Sequence, residues 1–389
     1  MTNQKFSNNT LLSHDPHDDQ HHGAVTYPIY QNSLFTFSSV EEYEKAREKM
    51  LDSYLYTRGN NPTVKLLEDR IAALELGEQA RCFASGMAAI SSAILSTVQT
   101  GDHVICVDQV YGPTREFLSE YLLKFNISTT FVNGCNLDNI KSATQPNTKL
   151  IYLESPSSIL FELQDIQACT NYAKSIGAIT IIDNSWATPI FQKPLLMGVD
   201  LVVHSLTKYM SGHSDVVAGV VVGSKELLSN INKNEHLLLG GILSPQNASL
   251  ILRGMRTLAI RMEQHQKSGL KIANFLEKQP FITKVNHPGL QSHPFHSLAL
   301  KQMSGFGSLF SFETNLPYEI VKEMVNHLRL FRIGVSWGGY ESLVTLHKKN
   351  DNTQVVRLYI GLEDPEEIKE DLQAAFQILQ KYQTENANS

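Results

Sequence analysis

Lys208 is the residue whose surroundings most suggest chemistry. It stands within Val-Asp-Leu-Val-Val-His-Ser-Leu-Thr-Lys-Tyr-Met-Ser-Gly-His-Ser-Asp, residues 199–215. That stretch opens as a short β-branched apolar run of strand length, 201–203, then breaks into small polar residues around one amine. A similar run, 178–182, stops at Asp183. In an open α/β sheet, ligands bind outside the carboxyl ends of the strands. The pattern therefore places an amine and a carboxylate where a ligand would sit.

A lone lysine after a strand is ordinarily a solvated charge. A lone strand-end aspartate is ordinarily a helix N-cap. What sets Lys208 apart is its company, Ser205 and Thr207, two hydroxyl residues able to bind a phosphate. A cofactor that needs a Schiff base at one atom and a fixed proton at another fits this set, and pyridoxal phosphate has both needs. A second anion-binding signal is Ser85-Gly86-Met87, a glycine turn between a strand at 81–84 and a helix at 88–98. Glycine there lets backbone N–H groups approach an anion, and a helix N-terminus favours negative charge. Neither nucleotide-binding glycine fingerprint is present. His14, His17, His21 and His22 stand among acids, but Pro16 disrupts helical spacing and no second ligand set follows; a polar arm is expected there and no metal site.

The composition is that of an ordinary globular chain. Of its 389 residues, 42% are hydrophobic and 19% charged, which suggests two or more subdomains. A net charge of −6 without a basic patch argues against nucleic acid as a partner. Cys82, Cys106, Cys135 and Cys169 form no C-x-x-C pair and read as thiols in a reducing compartment. No signal-peptide core and no apolar run of membrane-spanning length is visible, so a cytoplasmic protein with no membrane partner is expected.

The elements that must position these groups alternate. Strands are expected at 103–107, 129–132, 149–153, 178–182 and 201–204, with helices at 113–125, 137–143 and 164–176 between them. This order indicates a largely parallel sheet with helices on both faces. Residues 215–223 read as two β segments broken at Gly219. Before the sheet come a loose tail over 1–12, a helix over 39–50, a Gly/Asn/Pro loop over 54–63, and a helix with Leu66, Leu67, Ile71 and Leu74 on one face. After it comes one long helix over 246–278, in which Ile251, Met255, Leu258 and Met262 recur at helical spacing. The remainder reads as α+β. It has a strand at 308–312, a helix face at Val321, Met324, Val325 and Leu328, and a strand at 354–360 with Arg357 opposite Val356 and Leu358. A final helix opens at Asp364-Pro365, and residues 384–389 read as disordered.

Six motifs together carry a family resemblance. They are Tyr-Thr-Arg-Gly-Asn-Asn-Pro-Thr at 56–63, Ala-Ser-Gly-Met-Ala-Ala at 84–89, Val-Tyr-Gly at 110–112 and Asp-Asn-Ser-Trp-Ala at 183–187. The others are Ser-Leu-Thr-Lys-Tyr with Gly-His-Ser-Asp at 205–215 and Arg-Gly-Met-Arg-Thr-Leu at 253–258. In that order the chain resembles the trans-sulfuration, or Cys/Met metabolism, family of pyridoxal phosphate enzymes, from about His14 to about Leu379.

The resemblance implies a fold-type-I α/β architecture. Residues 1–56 would be an N-terminal arm and subunit contact. Residues 57–253 would be a cofactor-binding large domain with a mostly parallel seven-stranded sheet, and 254–389 a smaller α+β domain. It implies that Lys208 carries the cofactor and moves the substrate Cα proton, that Asp183 holds the pyridine nitrogen, and that Tyr111 stacks on the ring. Gly86, Met87, Ser205 and Thr207 would hold the phosphate, and Arg357 the substrate carboxylate with Ser336 nearby. Tyr56 and Arg58 would reach a phosphate in a neighbouring subunit, within a homotetramer built of dimers. Two places, Ser336-Trp337-Gly338-Gly339-Tyr340 and Glu154-Ser155-Pro156-Ser157-Ser158, resemble the branch that eliminates sulfur from the β carbon of L-cystathionine. Tyr56 to Thr63 is closer to the general family pattern, so a γ-acting relative is the alternative.

Overall fold

A computed structural model describes residues 6–14, 21–49, 52–349, 351 and 353–387. The alternating middle of the sequence becomes seven strands: β1 (Gln79–Phe83), β2 (His103–Val107), β3 (Ser128–Val132), β4 (Thr148–Glu154), β5 (Ile179–Asp183), β6 (Leu201–Ser205) and β7 (Gly219–Gly223). They form one sheet in the order β1-β7-β6-β5-β4-β2-β3. Neighbours from β3 across to β6 are parallel, while β7 runs antiparallel to both β6 and β1. The central strands are buried on both faces, which is why they read as continuous apolar runs rather than alternating ones.

A second sheet holds β8 (Lys284–Asn286), β9 (Leu309–Thr314), β10 (Arg332–Ile333), β11 (Leu343–Lys348) and β12 (Gln354–Tyr359), in the order β10-β11-β12-β9-β8. The mixed α/β class and the large, mostly parallel sheet agree with the sequence-based expectation. One apolar core, including Ile90, Val104, Ile151, Ile181 and Val202, lies against the large sheet. The other joins Leu67, Ile71 and Val220 to Phe310, Phe312 and Leu372, and so ties the two sheets together. No described helix is long and apolar enough to cross a membrane. The four cysteines are free thiols, three of them buried.

Several boundaries differ from expectation for identifiable reasons. A helix, Asn8–Ser13, forms where the loose tail over 1–12 is expected, anchored by the fully buried Leu12. The helix expected over 39–50 runs Val40–Glu48, and Met50 lies outside the described residues. Much of the histidine-rich stretch, 15–20, also lies outside them; among the described residues no His, Cys, Asp and Glu cluster has the grouping of a metal site. The 113–125 helix passes through a π turn at Phe117–Tyr121. Residues 215–218 do not form a strand, because Ala218 N–H and C=O are both bonded to Thr207.

The long helix over 246–278 is two helices, Pro245–Met255 and Leu258–Leu276. The carbonyl of Gly254 accepts from the Arg261 guanidinium and the Thr257 hydroxyl, which interrupts the i to i+4 ladder there. The final helix runs Pro365–Ala387, so residues 384–387 are helical rather than disordered.

Candidate active site

Three acidic or basic groups meet at the carboxyl ends of adjacent strands. Glu154 ends β4 and is in register with Asp183, which ends β5 and is in register with Val203 of β6. Lys208 follows β6 directly. Ser185 stitches these ends together. Its N–H donates to Asp183 Oδ1 at 2.9 Å, and its hydroxyl oxygen accepts the Ser205 N–H at 2.7 Å. Burial raises the Asp183 pKa above the usual carboxylate value. The neighbouring Ser185 hydroxyl and N–H, and then His204 and Lys208, pull it back.

Lys208 is held from the second sheet's side. Its ammonium donates to Ser336 Oγ and lies 5.3 Å from the centroid of the Trp337 indole. Burial, reinforced by Arg357 and opposed by Asp183, lowers its pKa to about 8. A lysine so shifted has a substantial neutral fraction near neutral pH, which a nucleophilic or proton-moving amine requires.

The backbone must bend tightly to bring Ser336 and Trp337 there. Ser336 sits at φ +82° and Gly338 at φ +91°. A Cβ at Gly338 would lie 2.6 Å from Tyr209 N and 2.7 Å from Lys208 Cα, so only glycine fits against the lysine's own backbone. The indole is fixed edge-on to Tyr209, with ring centroids 5.3 Å apart. Arg357 projects from the middle of β12, flanked in register by Thr345 and Ser311. Burial lowers its pKa, and among the described residues no carboxylate pairs with it. A half-buried guanidinium without a counter-ion is a ready receptor for a carboxylate.

The anion-binding end is built by close backbone approach. Ser85 caps the helix Gly86–Leu95 by accepting the Ala88 N–H at 3.0 Å, which leaves the Gly86 and Met87 N–H groups directed outward. A Cβ on Gly86 would lie 3.2 Å from Ser205 Oγ. A Cβ on Gly219 of β7 would lie 2.3 Å from the Ser85 carbonyl oxygen. Two glycines thus form a shallow cradle with the Ser205 hydroxyl at its edge. The Thr207 hydroxyl donates to Ala218 C=O at 3.2 Å and accepts the Ala218 N–H at 3.0 Å.

Tyr111 is 44% exposed and follows β2; partial burial, and then its neighbours Asp183 and Glu154, raise its pKa. Tyr56 and Arg58 lie apart on an exposed loop; the Arg58 guanidinium is 5.8 Å from the Tyr56 ring centroid. Glu154, Ser185, Gly219 and Gly338 are neighbours that the motif reading did not single out. Glu154 carried the same signal as Asp183, an apolar run ending in an acid.

A lysine and a carboxylate at neighbouring strand ends, beside a glycine-lined helix N-terminus, fit the amine, ring-nitrogen and phosphate ends of pyridoxal phosphate. This defines the chain as a pyridoxal phosphate enzyme of α/β architecture. The comparisons give the family: the chain belongs to the Cys/Met metabolism PLP-dependent enzymes, whose family model matches residues 9–377. It is 40% identical to an L-methionine gamma-lyase of Fusobacterium nucleatum subsp. polymorphum, over 96% of this chain and 98% of that protein. It is also 40% identical to a cystathionine beta-lyase of Lactococcus lactis subsp. cremoris, over 92% of this chain and 96% of that one. A cystathionine gamma-lyase of Bacillus subtilis is 37% identical over 92% of this chain and 96% of its own. Relatives named for β- and γ-lyase activity thus stand at nearly equal distance.

Proposed function

We propose that this chain is a carbon–sulfur β-lyase that converts L-cystathionine and water to homocysteine, pyruvate and ammonia. The observation that carries this reading is the Trp337 indole, 5.3 Å from the Lys208 amine. A γ-acting enzyme must remove a second proton, from Cβ, before a Cγ group can leave. A bulky ring beside the amine restricts the substrate conformations that step needs. Ser158, standing where γ-type members usually carry asparagine, supports the same branch.

Pyridoxal phosphate, when bound, supplies the electron sink for loss of the Cα proton. The chain's residues do the rest. Lys208 takes the proton from Cα and delivers a proton to the departing homocysteine sulfur. Asp183 holds a proton at the pyridine nitrogen, and Tyr111 covers the ring face. Gly86, Met87, Ser205 and Thr207 hold the phosphate. Arg357 orients the substrate by a bidentate hold on its α-carboxylate, while Ser336 accepts from the amine. Tyr56 and Arg58 serve the phosphate of a neighbouring copy within a homotetramer built of dimers. The fold-type-I division into an arm (1–56), a large domain (57–253) and a small domain (254–389), a cytoplasmic setting and a place in methionine biosynthesis belong to the same reading.

The second reading is a γ-acting lyase or synthase, favoured by the 40% identity to an L-methionine gamma-lyase. Incubation with L-cystathionine and separation of the keto acids decides between them. Pyruvate with homocysteine is expected; 2-oxobutyrate with cysteine would move the chain to the γ branch. Trp337→Leu is expected to raise the 2-oxobutyrate share, and an unchanged partition would remove Trp337 as the cause.

A further inference from the structure

Glu154 has no part in the roles above, yet it stands among the residues that do. It is only 8% exposed, and its Oε2 accepts the backbone N–H of Tyr111 at 2.8 Å. The Ser158 N–H donates to the Gln109 carbonyl at 3.0 Å, two residues before Tyr111. The carboxyl thereby ties the loop that presents Tyr111 to the strand end, and that loop holds the one that carries Ser158 through Gln109. The second loop is strained, with Ile159 at φ +65° and Phe161 at φ +54°. Ser311, the register partner of Arg357, pins that loop by donating to the Ile159 carbonyl at 2.6 Å.

Glu154 and Asp183 are register partners on parallel strands, which lie about 4.8 Å apart, so both carboxyls leave the same face. Two buried carboxyls so placed do not both ionise. Asp183 has its neighbours Ser185, His204 and Lys208 in its favour. The titratable groups facing Glu154 are Asp183 from β5, Tyr111 after β2, Tyr152 from β4 and Cys106 from β2, all of them acids. Among the described residues, no ion pair to Glu154 balances them. Burial and Asp183 push its carboxyl well above the usual range.

We propose that Glu154 is a neutral positioning acid: it keeps the proton that Asp183 does without, and it clamps the Tyr111 loop against the sheet. The inference rests on the reading of Asp183 and Tyr111 as cofactor-contacting residues. Its consequence is that the ring-nitrogen end of the site carries one negative charge, on Asp183, and not two.

The test compares native holoenzyme with Glu154→Gln and Glu154→Leu. The readouts are the visible absorption of the lysine–cofactor linkage across pH and the dissociation constant for pyridoxal phosphate. Glutamine is neutral and keeps an acceptor for the Tyr111 N–H, so the pH midpoint of the visible band is expected to stay in place. A fall of about one pH unit or more would show that a negative charge beside a cation had been removed, and would overturn the neutral assignment. Leucine leaves the Tyr111 N–H without an acceptor, and cofactor affinity is expected to fall about tenfold or more. Native affinity in Glu154→Leu would overturn the clamp. If that variant does not fold, the glutamine spectrum still decides. Failure of the cofactor reading itself is distinguishable, because the native protein would then show no visible band.

Discussion

The strand ends of the large sheet and the loop at 54–61 supply residues to one proposed cofactor site, but the chain holds them in opposite ways. At the strand ends, Ser185 bonds to both Asp183 and the Ser205 backbone, and Gly338 lies against the backbone of Lys208. These groups are fixed before any ligand arrives. On the loop, Tyr56 is 51% exposed and Arg58 is exposed, with the Arg58 guanidinium 5.8 Å from the Tyr56 ring centroid. Groups that take part in bond changes need positions set to a fraction of an ångström, which parallel strands of one chain provide. Groups that only neutralise charge tolerate a looser hold, and a partner copy can complete it.

The largest break in this comparison is Lys208→Ala. Removing the amine is expected to lower kcat by about 10⁴-fold or more, measured by pyruvate release. A loss under tenfold would deny the strand ends their central role. Arg357→Leu comes next, with kcat/KM expected to fall about 10²–10³-fold, chiefly through KM, because a half-buried cation that awaits a carboxylate is lost. Arg357→Lys is expected to recover only part of that loss, since the ammonium lacks the planar fork.

The loop predicts a smaller effect and a different kind of rescue. Arg58→Ala is expected to weaken cofactor binding about 10–100-fold, as for loss of a charge-assisted hydrogen bond. Mixing Arg58→Ala with Lys208→Ala subunits under exchange conditions is expected, at limiting cofactor, to give more activity than either has alone. No recovery would place both halves of the site in one chain. The smallest effect is a pH dependence. Lys208 attacks only as the neutral amine, and its pKa is lowered to about 8. Cofactor uptake by the apo protein is therefore expected to rise with pH through about 8, and to slow about tenfold for each unit below it. A midpoint near the ordinary lysine value would show that burial does not act on this amine.

The strand ends were the more legible region, and the reason is physical. A buried parallel strand needs a continuous apolar run, and a polar residue that ends such a run has few places to go but the ligand side of the sheet. Asp183, Ser205 and Lys208 are found by that rule. Glu154 obeys it equally, but the motif around it reads as a branch marker, and nothing in the sequence sets its carboxyl beside another. Other features depended on contacts between distant parts of the chain. The break between the helices at Arg256 and Thr257 follows from Arg261 taking the Gly254 carbonyl. The commitment of Thr207 to Ala218 follows from how β7 begins. Strands β8 and β10 are three and two residues long, too short to carry a periodicity. β11 has only mixed burial, so its alternation is weak in the sequence.

The most direct test of the account asks which lysine carries the cofactor. The holoenzyme is treated with borohydride to make the linkage permanent, then digested, and the modified peptide is mapped. The account predicts the label on Lys208. Lys193 is the natural competitor, since burial also lowers its pKa, but its ammonium is engaged with the Leu74 carbonyl. A label on Lys193, or on any lysine other than Lys208, would contradict the assignment of the strand-end amine on which the rest of the site depends.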